Sequence, residues 1–551
     1  MNTAMGNQYF LARLLIAAAG ITQQAGTSVM IALLVACGSV ALPGPVFAAE
    51  AFKEFQANEN PEDQRLEQSG SGVASITRAI DADKLVRPWP RLTGYRNTSL
   101  QKAPAPALAA HSAALLGRPR IVRCFLNLDE AWDYRTRAFD FNRPIGMNPY
   151  RSVKEKHPET WGWQLESKIR YEDYLTAFSR NSDEILLVIR RYERDVLDGK
   201  LPISFEDWKM IFKEGLKHCK KLCPNICYVE VCNEYHHKGF IGCAAEEYYK
   251  FYRLGYQAVN EVNAELGLQG DDRIGVGGPV AAREAMQHLP EFLFLYRADP
   301  SPDKRLDFVS WHDYGKPFAE MAHKGAAVRK LLTQHGLDPN LPLFLTETDP
   351  FQFTKDKTLK NWKETFHMLN ASGLVKVLYF ADRHSPGMKV FPWALYHNSQ
   401  QQLHYVWFDG PNDPDTTANQ LRLMPIGVSM QLLGWHKGQE IEVDNALERD
   451  DLVLASSDGN TVAVHAINYG GPRPVEIRVK LPAHWRGPES APVEEYLLDS
   501  THNNHLTGDT FSGGAQRTGK VRAPVVNSEI VLRRATLEQN GILFWRIMKG
   551  E

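Results

Sequence analysis

Residues 205–234 read FEDWKMIFKEGLKHCKKLCPNICYVEVCNE and contain one helix and one strand of the predicted fold. Apolar side chains recur at the spacing of one helix face, at Trp208, Ile211, Phe212, Leu216 and Cys219. Pro224 interrupts the helical pattern, and residues 227–233 then form an apolar run of the length of a buried strand. A helix followed by a fully apolar strand is typical of repeated β-α units around a parallel sheet.

The same alternation continues along most of the chain. Further strands are predicted at 120–126, 184–192, 273–278, 306–311, 342–347 and 374–380, with a less distinct early strand near 161–170. Amphipathic helices lie between them, for example at 244–265. Eight parallel strands alternating with helices predict an α/β fold, a (β/α)8 TIM barrel, over residues 117–430.

The segments on either side of the barrel have a different pattern of apolar and polar residues. Residues 431–551 contain alternating, β-branched runs separated by Gly, Asp, Asn and Pro, which predicts a C-terminal antiparallel β-sandwich. Residues 49–116 are poorly patterned and indicate a linker or extended segment. Within them, residues 83–98 suit one strand added to the sandwich.

Length and composition limit the classes of function. The chain has 551 residues, well beyond the roughly 250–300 residues at which a single core stops growing, so at least two domains are expected. The formal net charge of −2 gives no basic excess that would indicate a nucleic-acid partner. The chain also contains 12 Trp, 20 Tyr and 25 Phe; most suit core packing, and some suit stacking on sugar rings.

The N-terminus resembles an export signal over residues 1–48. Apolar runs at 9–21 and 29–42 are too short for a comfortable membrane span of roughly 20 residues, and Val46-Phe47-Ala48 gives a small-x-small cleavage pattern. This predicts a secreted or periplasmic protein. Alternatively, Leu34-Val35-Ala36-Cys37 resembles a lipobox, which would make Cys37 the lipid anchor of a membrane lipoprotein, or the segment stays as a membrane anchor.

Five cysteines cluster between residues 219 and 243: Cys219, Cys223, Cys227, Cys232 and Cys243. Export permits disulfides among them. The Cys-x3-Cys-x3-Cys spacing also raises a metal or iron–sulfur site, but it matches no common zinc or ferredoxin pattern. Plain buried thiols are the third interpretation and the favoured one.

Two acidic residues end predicted strands, and they indicate the chemistry. YVEVCNEY runs as an apolar strand into Asn233-Glu234, and LPLFLTET ends on Glu347. Glycosidic bond hydrolysis needs two carboxyl groups flanking the anomeric carbon, and barrel enzymes carry their catalytic groups at the carboxyl ends of strands. On the fourth and seventh strands, these residues are expected to face each other across the barrel mouth.

These segments resemble clan A glycoside hydrolases, and most closely glycoside hydrolase family 39, the group of β-xylosidases and α-iduronidases. The resemblance covers roughly residues 119–400 and includes Asn-Glu at 233–234, VGGPVAA, DFVSWHDYG and PLFLTET in the same order. It implies that Glu234 is the acid/base, that Glu347 is the nucleophile of a retaining hydrolase, and that Asn233 binds the sugar 2-hydroxyl. Tyr235, Thr348 and the string Arg123-Cys124-Phe125 depart from the family pattern, which leaves the substrate open.

Other residues near these strand ends are candidates for binding substrate: Trp311, His312, Tyr314, Trp393, Arg123 and His236. We expect Tyr314 or His312 to hydrogen-bond Glu347. Each candidate also has a structural interpretation, such as core packing for Trp393 and pairing with a carboxylate for Arg123. Of Arg190 and Arg191, which end the third predicted strand, at least one is expected only to form a salt bridge.

No motif indicates a cofactor, and no metal site is expected. His236-His237 could imitate metal ligands, but no motif places a third. The expected partner is a carbohydrate substrate. Alternatives to a family-39-like hydrolase are an endo-acting hydrolase of an algal or extracellular polysaccharide, and a non-catalytic carbohydrate-binding protein on a decayed barrel. The sequence indicates neither the sugar, nor the linkage, nor the oligomeric state.

Overall fold

The computed structural model describes residues 74–99, 105–145, 168–282, 285–350, 362–396, 405–407, 413, 415–485, 488–507 and 514–550. The predicted signal segment at 1–48, with Cys37, lies outside these residues. Most of the early strand predicted at 161–170 also lies outside them.

Eight parallel strands form one sheet that curves into a barrel. In chain order the barrel strands are Tyr95–Asn97, Ile121–Asn127, Glu184–Arg190, Ile226–Val231, Gly275–Ala281, Phe308–Tyr314, Leu343–Asp349 and Met388–Pro392. Hydrogen-bonded neighbours follow this order from the first strand to the eighth. The Leu395 N–H, just after the eighth strand, donates to the Asn97 carbonyl over 2.8 Å and joins the two edges. The predicted (β/α)8 barrel is therefore confirmed.

The barrel begins earlier than the predicted boundary at residue 117. Its first strand, Tyr95–Asn97, pairs in parallel with the second, so the segment interpreted as a linker supplies a barrel strand. Three residues, two of them polar, are too few to show the period of a strand. The run at 120–126 is therefore in the second strand, and a strand near 161–170 is not needed to complete the eight.

The strand predicted at 374–380 is wrong, because this run lies inside the helix Trp362–His384. Every residue from 374 to 380 is buried. A helix segment that is apolar on all sides cannot be distinguished by periodicity from a buried strand. The eighth barrel strand is Met388–Pro392, which follows this helix.

The main helices of the described residues alternate with the barrel strands. They span Ala105–Leu116, Tyr171–Arg180, Glu193–Asp198, Phe205–Leu222, Ala245–Glu265, Ala285–Ala298, Phe318–Gln334, Trp362–His384 and Pro425–Gly434. The last of these contains the predicted boundary at residue 430, so the barrel's final helix extends to Gly434. None of the helices in the described ranges is long and apolar enough to cross a membrane.

The C-terminal strands form two sheets that enclose a second core. The larger sheet has the spatial order Leu85–Pro88, Gln439–Ile441, Asp451–Ser457, Thr461–Asn468, Ile542–Met548, Ser490–Leu498 and Gly519–Pro524. The smaller sheet consists of Ile76–Asp81, Arg473–Lys480 and Glu529–Leu537. Two strands from before the barrel thus belong to the sandwich, one in each sheet. Apolar side chains from both sheets share one core cluster, as in other β-sandwiches.

The amino-terminal half of the barrel interior is apolar. Ile121, Leu186, Phe308, Phe344 and Phe391 form a separate buried cluster there, with Tyr95 and Tyr228 packed against it. The Phe308 and Phe344 rings stack with their centroids 4.5 Å apart. This cluster, the barrel floor, closes the barrel below the carboxyl ends of the strands.

Candidate active site

Polar side chains replace the apolar ones in the layer above the barrel floor. Arg123, Glu230 and Ser310 each follow a floor residue by two positions, so the alternation of a strand directs them to the same interior face. All three are buried. Because buried charges must be paired or hydrogen-bonded, this layer is held by electrostatic contacts.

A β-bulge directs Glu347 into this layer. In the pairing of the sixth and seventh strands, Trp311 lies opposite Leu345 but His312 lies opposite Glu347, so Thr346 is an extra residue. Without the bulge, strict alternation from the floor residue Phe344 would direct Glu347 outward. Bulges of this kind re-aim side chains next to active sites.

A tight turn after the fourth strand places Glu234. Cys232 and Glu234 have positive φ angles of 67° and 45°, in the left-handed region. The Glu234 N–H donates to the Val280 carbonyl of the fifth strand over 3.0 Å, which anchors the turn to the neighbouring strand. The Glu234 side chain is 12% exposed, so it is the more accessible carboxyl group of the predicted pair.

The structure brings Glu234 and Glu347 together over the carboxyl end of the barrel. One carboxylate oxygen of each, together with one nitrogen of His312, lie within 4.8 Å of one another. The two residues thus meet in one site, as the sequence predicts. The same three groups are the only set of described residues with the proximity of metal ligands.

Both oxygens of Glu347 accept hydrogen bonds. Arg123 Nη1 donates to Oε1 over 2.6 Å, and the Tyr314 hydroxyl donates to Oε2 over 2.5 Å. The expectation that Tyr314 contacts this carboxylate is confirmed. Burial and the negative charge of Glu347 raise the pKa of Tyr314, so its hydroxyl keeps the proton that it donates. With one oxygen held by a guanidinium, the carboxylate is a poor partner for a divalent cation.

His312 connects the two carboxyl groups. Its Nδ1 lies 2.7 Å from Glu234 Oε1 and 3.4 Å from Glu347 Oε2. Burial lowers the pKa of His312 to about 4, so the imidazole is neutral near pH 7. Arg123 Nη2, which can only donate, lies 3.4 Å from Nε2. Nε2 is therefore the acceptor, and Nδ1 carries the proton that is donated to Glu234.

Arg123 is the centre of the buried polar layer. Its Nε donates to Glu230 over 2.7 Å and its Nη2 donates to Asn233 Oδ1 over 2.8 Å, in addition to the contact with Glu347. Burial by itself would lower the pKa of Arg123, but Glu230 and Glu347 raise it. Arg123 therefore stays charged and pairs with acidic residues of the fourth and seventh strands, so the predicted pairing with a carboxylate is confirmed.

Asp349 is a second buried carboxyl group on the seventh strand. It follows Glu347 by two positions and is buried, and its Oδ1 accepts no hydrogen bond among the described residues. Burial, with a smaller contribution from the charge of Glu347, raises the pKa of Asp349 well above its usual range. Burial therefore disfavours the charged form of Asp349.

Of the other residues predicted for the site, Trp393 and His236 lie near it and Trp311 does not. Trp393 follows the eighth strand, and its ring meets Phe125 edge-on at 6.5 Å. His236 stacks on His288 at 3.9 Å beside the Glu234 turn, and burial lowers the pKa of His236 to about 4. The structure does not bring Trp311 into this group, because its fully buried ring packs in the large cluster shared with the helices. Strand alternation explains this, since the neighbouring His312 is the residue that faces inward.

The cysteines of the described residues form neither disulfides nor a metal-ligand group. The six cysteines of the described residues are free, and four of them, Cys124, Cys219, Cys223 and Cys232, are buried. The disulfide interpretation is therefore wrong in this structure, and the buried-thiol interpretation holds for these four. No three cysteines of the described chain have the proximity of metal ligands.

Two residues of the polar layer, Glu230 and Asn127, are not among those predicted from the sequence. Glu230 lies in the middle of the buried fourth strand, where a carboxylate requires a partner, and this charge within an apolar run was the available signal. Asn127 ends the second strand, and its Oδ1 accepts from Arg190 Nε over 2.8 Å. An asparagine at a strand end is so common in turns that nothing in the sequence distinguished it.

No family model matches the sequence, and no curated protein matches it. Solved structures are nevertheless similar to it. A family 39 glycoside hydrolase from Xanthomonas axonopodis pv. citri aligns with 88% of this chain and 99% of its own at 15% identity, with a TM-score of 0.59. A monomeric β-xylosidase from Caulobacter crescentus CB15 aligns with 87% of this chain and 100% of its own at 15% identity, with a TM-score of 0.58.

A bacterial orthologue of human α-L-iduronidase aligns with 87% of this chain and 84% of its own at 13% identity, with a TM-score of 0.61. At these identities the similarity establishes the fold. The chain therefore shares the fold of family 39 glycoside hydrolases, and the resemblance noted in the sequence is confirmed at this level.

Proposed function

We propose that the protein is a retaining O-glycoside hydrolase in which Glu347 is the nucleophile and Glu234 is the general acid and base. The observation that carries this proposal is the approach of their carboxylate oxygens to within 4.8 Å. Retaining enzymes hold the two carboxyl groups about 5–5.5 Å apart, whereas inverting enzymes leave about 6.5–9.5 Å for a water molecule. The short separation favours direct attack by one carboxylate.

The contacts of each residue support this division of roles. Glu347 is held at both oxygens by Arg123 and Tyr314, which fixes the direction of attack on the anomeric carbon. In the first step a bond forms between Glu347 and the anomeric carbon while the bond to the leaving oxygen breaks. Glu234 gives its proton to that oxygen, so the leaving group departs as a neutral alcohol.

In the second step Glu234 acts as the base. It takes a proton from water, whose oxygen attacks the anomeric carbon and displaces Glu347. Two inversions give net retention and return both carboxyl groups to their starting states. Neutral His312 donates to Glu234 Oε1, so the proton for the leaving group resides on Oε2.

Azide rescue and product stereochemistry test the proposal. Aryl glycosides of neutral sugars and uronic acids, in both anomeric forms, would be assayed with the wild type, Glu347→Ala and Glu234→Ala. We expect Glu347→Ala to lose at least 1,000-fold in kcat and to yield the glycosyl azide of inverted configuration when azide is added. Glu234→Ala should retain more activity on substrates with good leaving groups, because these need little protonation.

Glu246→Ala is the matched control, since Glu246 is exposed on the helix Ala245–Glu265 outside the site. Products would be followed by NMR to read the anomeric configuration directly. Net inversion by the wild type, or turnover by either site variant at the rate of Glu246→Ala, would refute the assigned roles.

We propose further that the protein acts after export, with residues 1–48 as the cleaved signal. The apolar run at 29–42 and the pattern Val46-Phe47-Ala48 support cleavage after Ala48. Mass spectrometry of the mature protein tests this. A free N-terminus at Ala49 supports secretion, and a diacylated Cys37 would instead identify the lipoprotein alternative.

A further inference from the structure

Arg190 is the last residue of the third barrel strand and follows the floor residue Leu186 by four positions, so strand alternation directs its side chain to the interior face of the barrel, as it does for Arg123. It lies over the ring of Phe125, with 4.7 Å from Cζ to the ring centroid, and 5.7 Å from the ring centroid of Phe240. Arg123 lies over the same Phe125 ring at 4.8 Å, and the Trp393 ring meets it edge-on. The Phe125 ring therefore connects Arg190 to the layer that holds Glu347.

A chain of hydrogen bonds fixes the orientation of the Arg190 side chain. Its Nε donates to Asn127 Oδ1 over 2.8 Å, and Asn127 Nδ2 donates to Glu130 Oε1 over 2.9 Å. The Tyr171 hydroxyl donates to the other oxygen of Glu130 over 2.6 Å. Glu130 thus lies one amide away from Arg190, and neither terminal nitrogen of Arg190 has a hydrogen-bond partner among the described residues.

No carboxylate among the described residues forms an ion pair with Arg190. The hydrogen bond to Asn127 is its one described side-chain contact of that kind, and Arg191 and Arg123 add positive charge nearby. Burial lowers the pKa of Arg190 to about 10, so the group is charged near pH 7. Holding a cation at this depth without a carboxylate partner among the described residues costs free energy, and such groups commonly serve a ligand.

The other charges of the cleft suit an incoming anion. Glu347, whose charge interacts with Arg190, is already paired with Arg123. Burial disfavours the charged form of Asp349, which weakens the repulsion that this carboxyl group would exert on a negative group. A planar guanidinium binds carboxylate and sulfate groups through two parallel hydrogen bonds, so Arg190 offers a matched partner for an oxyanion.

We propose that Arg190 binds an oxyanion on the sugar that occupies the cleft, so that the substrate is an acidic glycan carrying a carboxylate or a sulfate ester. That the bound sugar is a substrate rests on the proposed function. Binding of the anion by Arg190 does not depend on turnover. The aromatic rings around the guanidinium supply the apolar walls on which a sugar ring packs, and Arg190 supplies the charge selectivity.

Binding of matched sugars tests the inference without catalysis. Glucose, glucuronate and glucose 6-sulfate share one ring and differ at carbon 6, as do galactose, galacturonate and galactose 6-sulfate. Dissociation constants would be measured by ligand-observed NMR for the wild type, Arg190→Gln, Arg190→Lys and the control Arg253→Gln. Arg253 is exposed on the outer helix Ala245–Glu265, so its substitution changes the net charge equally.

We expect the wild type and Arg253→Gln to bind an acidic member of at least one series at least tenfold more tightly than its neutral counterpart. Arg190→Gln should lose that preference by about 10- to 100-fold and change neutral binding by less than threefold, because only the charge-assisted contact is removed. Arg190→Lys, which keeps the charge, should retain part of the preference and lose it as salt is raised. The carboxylate and sulfate arms identify the kind of anion.

Three results would overturn the inference: equal binding of acidic and neutral sugars by the wild type, no binding of any sugar in either series, or a preference that survives in Arg190→Gln. Thermal melting of each variant establishes that it is folded, and if Arg190→Gln is not, the salt dependence of the wild type and of Arg190→Lys decides. Arg190-dependent binding without hydrolysis of any glycoside would refute the proposed function alone. Hydrolysis of neutral glycosides without an acidic preference would refute this inference alone.

Discussion

Arg123 and Glu347 lie 224 positions apart in the sequence, and their side chains are joined in the barrel interior by a hydrogen bond of 2.6 Å. The same guanidinium contacts Glu230 and Asn233 of the fourth strand. A single buried side chain from the second strand therefore aligns the fourth and seventh strands, which carry the two carboxyl groups of the proposed catalytic pair. Its contribution is to orientation, because the side chain is completely buried beneath the carboxylates.

Replacing Arg123 with lysine keeps the charge but cannot reproduce three divergent hydrogen bonds. We expect Arg123→Lys to lower kcat by at least 100-fold and to destabilise the fold by about 3–5 kcal/mol, since it leaves buried carboxylates poorly paired. Kinetics on the best aryl glycoside and chemical denaturation would measure the two effects. The exposed substitution Arg253→Lys serves as the control. Activity and stability equal to those of the control would contradict the central role of Arg123.

Replacing Tyr314 with phenylalanine removes one hydrogen bond from Glu347 and little volume. We expect kcat to fall by about 10- to 100-fold, because a charge-assisted hydrogen bond contributes roughly 1.5–3 kcal/mol. KM should change by less than threefold if the contact matters mainly to the reacting carboxylate. Burst kinetics with an activated aryl glycoside would show whether formation of the glycosyl-enzyme is the slowed step. An unchanged kcat would exclude this contact from catalysis.

Two buried histidines in the sandwich predict sensitivity to acid. The rings of His436 and His465 lie 5.7 Å apart, and neither nitrogen of His465 has a hydrogen-bond partner among the described residues. Burial lowers the pKa of His465 to about 3 and that of His436 well below its usual value. Below about pH 6.5 the unfolded chain binds protons that the folded protein excludes, so stability falls by up to about 1.4 kcal/mol per pH unit for each histidine.

The free energy of unfolding would be measured from pH 7.5 down to pH 5 for the wild type and for His465→Leu. The variant removes one of the two groups, so its stability should fall less steeply with acid, by about one histidine's share. At pH 7.5, where both histidines are neutral in the folded and unfolded states, this titration contributes no difference. Parallel curves for the two proteins would show that His465 is not excluded from protonation.

Gly255 determines how closely the helix Ala245–Glu265 packs on the fourth strand. A Cβ atom at this position would lie 2.7 Å from Val231 Cγ2 and 2.9 Å from Cγ1, which is closer than atoms can approach. We expect Gly255→Ala to destabilise the protein by about 1–3 kcal/mol through overpacking. Because Val231 precedes the turn that carries Glu234, kcat should fall as well. The double variant Gly255→Ala/Val231→Ala should recover part of the loss, and failure to do so would argue against this contact.

The regular part of the barrel could be predicted from the sequence because its strands are long and apolar. The strands that end at Arg190, Val231 and Asp349 were all recognised from such runs. The first strand, Tyr95–Asn97, was missed because three residues carry no periodic signal. The run at 374–380 was misassigned because a helix buried on every side has the same composition as a buried strand.

The meeting of Glu234 and Glu347 in one site could be predicted because two carboxylates at the ends of buried strands are rare without a use. The contacts that orient them could not, since Arg123 meets Glu347 only after the whole barrel has closed. Trp311 could not be excluded from the site on the basis of its sequence position, because it adjoins His312. The alternation of the strand places its ring in the core shared with the helices.

The β-bulge at Thr346 determines which face of the seventh strand carries Glu347. Straightening this bulge at constant length would restore even pleating and turn the carboxylate into the helix layer, whereas deleting one of the two residues between Phe344 and Glu347 would leave it on the interior face, two positions after a floor residue. The inward position of Glu347 therefore depends on the local shape of the backbone, and a change that straightened this strand would disable the site without altering either carboxyl group.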